Sequence, residues 1–289
     1  MITFFTDTDC DVTPKEAREH GFKLISMPYI IGEETIYPFK DSDDFDYHAF
    51  YDVLRKGIIP KTAALSPMEY MEYFEPEFAK GNDIFYIHFS RAMSGTFNSM
   101  NLALEELKEK YPERKFYEID TKGITLMSYV IIQEFYKQVE AGKSPEELLK
   151  WGEEEVLHFA CYFYASDLKF FARSGRVSGF KAFMGNLIGI KPIIYMDDKG
   201  IMGQISSGHG MKKTLKAILD YMVKLQNDIL DYEIVIAHTD APATVEVLKD
   251  MIMKEFGEKA RVRVIYANPT AGSHCGPDNV GVGFHSISR

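Results

Sequence analysis

Strand-like and helix-like stretches alternate along nearly the whole chain, and this order most narrows what the sequence can fold into. Apolar, β-rich runs occur at residues 2–6, 24–31, 84–89, 116–119, 159–165, 192–196, 233–237 and 262–267. Amphipathic stretches separate them. Phe97, Met100, Leu104 and Leu107 fall near one helical face, opposite Glu105, Lys108 and Glu109. Ser144-Pro145-Glu146-Glu147 combines an N-cap, a proline at the first helical position and an acidic residue at the third, so a helix is expected over 144–158. Such alternation predicts an α/β protein with mainly parallel sheets. Two places depart from it: 32–37 reads as a small hairpin, and Asp197-Asp198-Lys199-Gly200 as a turn joining two short strands. With 289 residues there is material for two cores, and a boundary is placed near 158, giving units 1–158 and 159–289.

Composition excludes several classes. The formal charge of −10, from 33 basic against 43 acidic residues, opposes nucleic acid as a partner and tight docking on anionic lipid surfaces. No run approaches the ~18 apolar residues of a membrane span, so no stable membrane insertion is expected. The N-terminal segment reads as a buried strand and not as a signal peptide. Cys10, Cys161 and Cys275 lie far apart and form neither a disulfide framework nor a zinc-type pair. They fit a reducing compartment, read here as the cytoplasm. No phosphate-binding G-x-x-x-x-G-K-S/T loop and no metal-ligand cluster is evident, so no cofactor is expected.

Four segments could hold chemistry. Ser90-Arg91-Ala92-Met93-Ser94-Gly95-Thr96 joins an apolar strand to a helix N-terminus, where free amides and the helix dipole favour an anion. Ser94 serves equally well as a helix cap. Thr62, in a short loop before a helix that Ser66 caps and Pro67 opens, has no capping role and a free hydroxyl. His274 sits among small residues at 268–279, a stretch read as a loop, and could act as base, metal ligand or hydrogen-bond donor. No second ligand lies at a useful spacing for a metal. Finally, after Ser178 as N-cap, Phe180, Phe183, Met184, Leu187 and Ile188 form an apolar helical face. Gly185 and Gly189 leave room there for close packing or an apolar guest.

Six short strings, in order, resemble the DegV family. They are Thr6-Asp7-Thr8, Lys61-Thr62, Ser94-Gly95-Thr96, Gly175-Arg176-Val177-Ser178, Ile190-Lys191-Pro192 and His274-Cys275-Gly276-Pro277. Members of that family include the fatty-acid-binding subunit of bacterial fatty acid kinase. The resemblance implies two α/β domains, the first mainly parallel and the second mixed, with a long-chain fatty acid in the cleft between them. It also implies a carboxylate held by Thr62, Ser94 and His274, with Gly95 and Arg176 as supporting groups and the 180–188 face along the acyl chain. On this reading the chain is a non-catalytic carrier that presents its lipid to a kinase. The family's T-S-Q-P loop is altered to Thr62-Ala63-Ala64-Leu65. Its arginine-containing K-x-R-x-K-K stretch, implied to meet the kinase, reads Ser206-Ser207-Gly208-His209-Gly210-Met211-Lys212-Lys213. Two alternatives stand beside it. One is a hydrolase or acyltransferase with Ser94 as nucleophile and His274 as base, for which no G-x-S-x-G elbow is present. The other is a lipid sensor or transfer protein without a kinase.

Overall fold

The computed structural model describes residues 1–178 and 189–289. Ile2–Asp7, Phe22–Ile25, Asp83–His88 and Phe116–Asp120 form a parallel sheet in the order Phe22–Ile25, Ile2–Asp7, Asp83–His88, Phe116–Asp120. Parallel neighbours need crossovers, and helices Pro14–Glu19 and Thr96–Lys110 each supply one. In the central strand Asp83–His88 every residue after Asp83 is buried, as expected of a strand covered on both faces.

The second sheet has seven strands, ordered Arg261–Tyr266, Glu233–His238, Val280–His285, Phe159–Tyr164, Ile190–Met196, Met202–His209, Val177–Ser178. It is mixed: Val280–His285 runs antiparallel to both of its neighbours, whereas Glu233–His238 and Arg261–Tyr266 pair in parallel. A third, antiparallel sheet of Glu34–Ile36, Tyr29–Ile31 and Lys61–Thr62 lies beside these two.

Helix Leu126–Glu140 joins the large sheets into one core. Seven consecutive residues, Leu126 to Ile132, are buried together with Glu134, Phe135 and Tyr136, so the helix has no solvent face over its first turns. It packs on Phe159–Tyr164, Glu233–His238 and Val280–His285 of the mixed sheet. On its other side Phe135 meets Phe4, Phe22 and Phe85 of the parallel sheet, with ring centroids 5.4–6.4 Å apart.

The strand pattern agrees with the sequence over most of its length, with three corrections. The apolar run 24–31 is two strands: Ser26-Met27-Pro28 breaks it, sending Phe22–Ile25 to the parallel sheet and Tyr29–Ile31 to the small one. The stretch 268–279 is not all loop. Asn268 caps a helix, Pro269–Cys275, accepting from Ala271 N–H at 2.8 Å. Val280–His285, taken as no strand, is a fully buried one at the centre of the mixed sheet. By contrast, the helix after Ser144 is present as Pro145–Glu155 with a full capping box, and Ser66 caps Pro67–Ala79 in the same way. The apolar face of Phe180, Phe183, Met184, Leu187 and Ile188 lies outside the described residues; Ser178, just before it, ends a short strand.

Polar ties cross between the halves of the chain. From helix Tyr47–Arg55, Arg55 reaches Asp240 Oδ2 at 2.7 Å, the Asp240 carbonyl at 2.9 Å and Asp278 Oδ1 at 2.7 Å. His48 Nδ1 lies 2.8 Å from Asp240 Oδ2. His48, Asp52 and Asp240 come within 4.8 Å of one another, in the manner of metal ligands, but Arg55 bonds both carboxylates. Tyr51 donates to the Ala267 carbonyl at 2.8 Å. The same helix sits close on Pro269–Cys275, where a Cβ on Gly272 would come within 2.7 Å of the Tyr51 hydroxyl. Arg55→Ala would leave the nearly buried Asp240 with His48 and the Tyr266 hydroxyl as partners. It is expected to cost about 2 kcal/mol, measured as a shift in the urea midpoint, with Arg55→Lys between the two. An unchanged midpoint would show that the clasp adds nothing to stability.

Candidate functional site

A cavity of about 180 Å³ lies where the sheets diverge beyond the N-terminal end of helix Leu126–Glu140. Its apolar lining includes Met27, Phe89 and Met93, from segments that follow strands of the parallel sheet, and Phe163, Met202 and Val280, from strands of the mixed one. Thr62, Ser94, Gly95, Arg176 and His274 all line it. The structure thus gathers the five site residues expected from sequence around one space.

Each is positioned by a different element. Thr62 ends the short strand that pairs with Tyr29–Ile31. His274 lies on helix Pro269–Cys275, and its Nε2 is 2.8 Å from Thr62 Oγ1. Burial, with Arg176 nearby, pushes the His274 imidazole down to about 4, so it is neutral at pH 7. Ser94 follows a single 3₁₀ turn, Arg91–Met93, and its hydroxyl accepts from Thr96 N–H at 3.2 Å. Its own hydrogen is left to donate. Gly95 occupies the N-cap of Thr96–Lys110 and has no side chain to cap it; Ser94 meets the helix's first N–H. Arg176 is exposed, and its guanidinium bonds the Ser174 carbonyl of its own loop at 2.6 Å.

This geometry offers hydrogen-bond donors and a helix N-terminus to an anion. A serine nucleophile needs its hydroxyl on a histidine. Here Thr62 occupies His274 Nε2, while Ser94 bonds a backbone amide.

Sequence reasoning passed over the group opposite. Asp7, Asp9 and Asp11 follow one another at the end of strand Ile2–Asp7, and all three are buried. Burial raises Asp7 to about 7 and Asp11 to about 8. Asp9 is raised well above the usual range by burial and by the charges of its two neighbours. Asp7 accepts from Tyr86 at 2.8 Å, and Asp11 accepts from both nitrogens of Asn268 at 2.8 Å. Asp9 alone lines the cavity, beside Thr125 and Thr270. Thr125 has φ 53°, a strained value for a β-branched residue, and its N–H donates to the Asp9 carbonyl at 2.7 Å. Three aspartates at alternate positions off the end of a buried parallel strand were the available signal.

A family model described as "Uncharacterised protein, DegV family" matches residues 1–286. A DegV domain-containing protein of Clostridium perfringens is 31% identical over 98% of this chain and 97% of its own length. The chain belongs to the DegV family. Solved DegV structures share its fold. A DegV family protein from Eubacterium eligens, loaded with heptadecanoic acid, superposes with a TM-score of 0.83 at 23% identity, covering 99% of this chain and 100% of that one. The Streptococcus pneumoniae fatty acid kinase B3 protein, loaded with linoleic acid, gives 0.83 at 19% identity and 99% coverage of both chains. In this shared α/β fold a parallel sheet and a mixed one pack on helix Leu126–Glu140. Among the described residues, no helix is long and apolar enough to cross a membrane.

The neutral state of His274 has a measurable consequence. An unfolded imidazole takes a proton near 6.5, the folded one only near 4. Its contribution to stability is therefore complete above 6.5 and is lost as the pH falls toward 4. Asp7 and Asp11 act in the opposite sense, holding protons in the folded state up to about 7 and 8. A difference between proteins isolates the histidine. On acidification from pH 7 to about 4.5, lipid-free His274→Gln is expected to lose less stability than wild type, measured by urea unfolding. Parallel losses would place the histidine's titration elsewhere.

Proposed function

We propose that this DegV protein binds one long-chain fatty acid in the cavity between its sheets, with the carboxylate on Thr62, Ser94 and His274. The observation that carries this reading is the Thr62–His274 pair, 2.8 Å apart, set in the wall of a cavity whose remaining lining is largely apolar. A carboxylate taken from water needs several donors to offset its lost hydration. Thr62 and Ser94 supply hydroxyls, the N-terminus of Thr96–Lys110 adds its dipole, and Arg176 adds positive charge at the edge. Thr62 and His274 bond each other, and a carboxylate placed beside them can take a hydrogen from each. Relatives loaded with heptadecanoic and linoleic acids support the choice of ligand.

The protein then acts in the cytoplasm as a non-catalytic carrier, delivering the carboxyl group to a fatty acid kinase. Support for the partner comes from the resemblance to the pneumococcal kinase protein. Residues 206–213 run from the end of strand Met202–His209 into helix Met211–Leu225, and His209, Lys212 and Lys213 are exposed there. Charge for docking is thus present without the family's arginine.

Mass spectrometry of lipid released by denaturing the purified protein is expected to give one long-chain fatty acid per chain. Recovery of none, even after incubation with acids of graded length, would end this reading. Thr62→Val combined with Ser94→Ala is expected to weaken binding about a hundredfold, since both remove donors to a buried charge. Unchanged affinity would place the carboxylate elsewhere. Acyl phosphate formed when carrier, kinase, fatty acid and ATP are mixed tests the partner, and no product would remove it.

A further inference from the structure

Asp9 is a polar group in the cavity wall that the carboxylate site does not use. It lines the cavity, keeps 6% of its surface exposed, and its Oδ1 has no hydrogen-bond partner. Buried oxygens are seldom left so, because they keep the full penalty of leaving water. Its backbone is already committed: the N–H donates to Asp7 Oδ1 at 3.0 Å, and the carbonyl accepts from Thr125 N–H. Asp11 Oδ2 also lacks a partner, but neither Asp7 nor Asp11 lines the cavity, so the unmet capacity on the cavity side falls to Asp9.

Its position relative to the carboxylate site can be read from helix Pro269–Cys275. Thr270, whose hydroxyl interacts with the Asp9 carboxyl, precedes His274 by four residues on that helix. Four residues rise about 6 Å. Asp9 therefore stands about one helical turn from His274. The Thr270 hydroxyl donates to the Met27 carbonyl at 2.9 Å, which leaves its oxygen as an acceptor. Thr125 lines the same space.

We propose that Asp9, with Thr270 and Thr125, recognises an oxygen on the acyl chain near its carboxyl end, so that the preferred ligands are hydroxylated long-chain fatty acids of the 3-hydroxy type. A ligand hydroxyl meets the Asp9 carboxyl at its cavity face and, with a turn of the group about Cβ–Cγ, gives the enclosed Oδ1 the partner it lacks; an unsubstituted chain offers only methylenes. Burial, with the charges of Asp7 and Asp11, favours the protonated Asp9 carboxyl, which has a hydrogen to give to the ligand oxygen or to Thr270. The neutral carboxyl also avoids setting a second negative charge close to the ligand carboxylate.

This inference rests on the fatty-acid reading above, and the test separates the two. Delipidated wild type is titrated with 3-hydroxyhexadecanoic acid and with hexadecanoic acid under the same conditions, and the ratio of affinities is read. The hydroxy acid is expected to bind about fivefold or more tightly. Asp9→Ala is expected to bring the ratio close to one, and Asp9→Asn, which still donates and accepts, to keep most of it. Equal binding of the two acids by wild type, or a preference that survives in Asp9→Ala, overturns this inference alone. Binding of neither acid overturns the fatty-acid reading and this one with it. The wild-type comparison decides by itself if Asp9→Ala does not fold.

Discussion

Helix Leu126–Glu140 is the constraint on which the rest of the molecule depends. Its first two turns have no outer face, so each side chain there must find apolar company in one sheet or the other. Phe135 takes the parallel sheet, while the helix rests along three strands of the mixed one. The separation of the sheets is thereby set to the width of a helix. Where the helix begins, at Thr125 and Leu126, nothing of equal width continues, and the cavity occupies the remaining space. The strained backbone of Thr125 is the local cost of ending the helix there, and its bond to the Asp9 carbonyl holds it in place.

Around this space burial disfavours ions. It pushes the His274 imidazole down to about 4 and raises all three aspartates, Asp7 to about 7 and Asp11 to about 8. Arg176 stands at the exposed edge. On the proposed reading, the guest carboxylate brings a full charge into this space. The donors that meet that charge come from three separate elements, so none can be displaced without moving a strand end or a helix.

Most of this plan was legible in the sequence where local chemistry and tertiary role coincide. The capping boxes at Ser66 and Ser144 specify their helices from four residues each, and the apolar runs mark the buried parallel strands. Ser94 could be placed near an anion site because a strand end and a helix start flank it. Legibility failed where neighbours decide. Gly281 and Gly283 give Val280–His285 little strand propensity, yet at Gly281 a Cβ would press within 2.4 Å of Phe163, so pairing there demands glycine. The helix of His274 is hidden by glycine and serine that disfavour helices, although Asn268-Pro269 announces its start. Asp9 reads as an ordinary acidic residue after a strand. Only the packing of Thr125 and Thr270 around it shows that it faces the cavity.

The Arg55 clasp has a consequence for traffic. Asp240 and Asp278, both with positive φ, follow Thr239 and precede Asn279, which line the cavity. One guanidinium ties both turns to the opposite half of the molecule. That rim cannot spread without breaking several bonds at once. Gly95 and Arg176 are exposed lining residues, and the Arg176 guanidinium bonds Ser174, two residues away, instead of the opposite half. The easier doorway is therefore on their side, beside the proposed carboxylate donors. On that reading a guest goes in tail first, and its head group is the last part to enter and the first to leave.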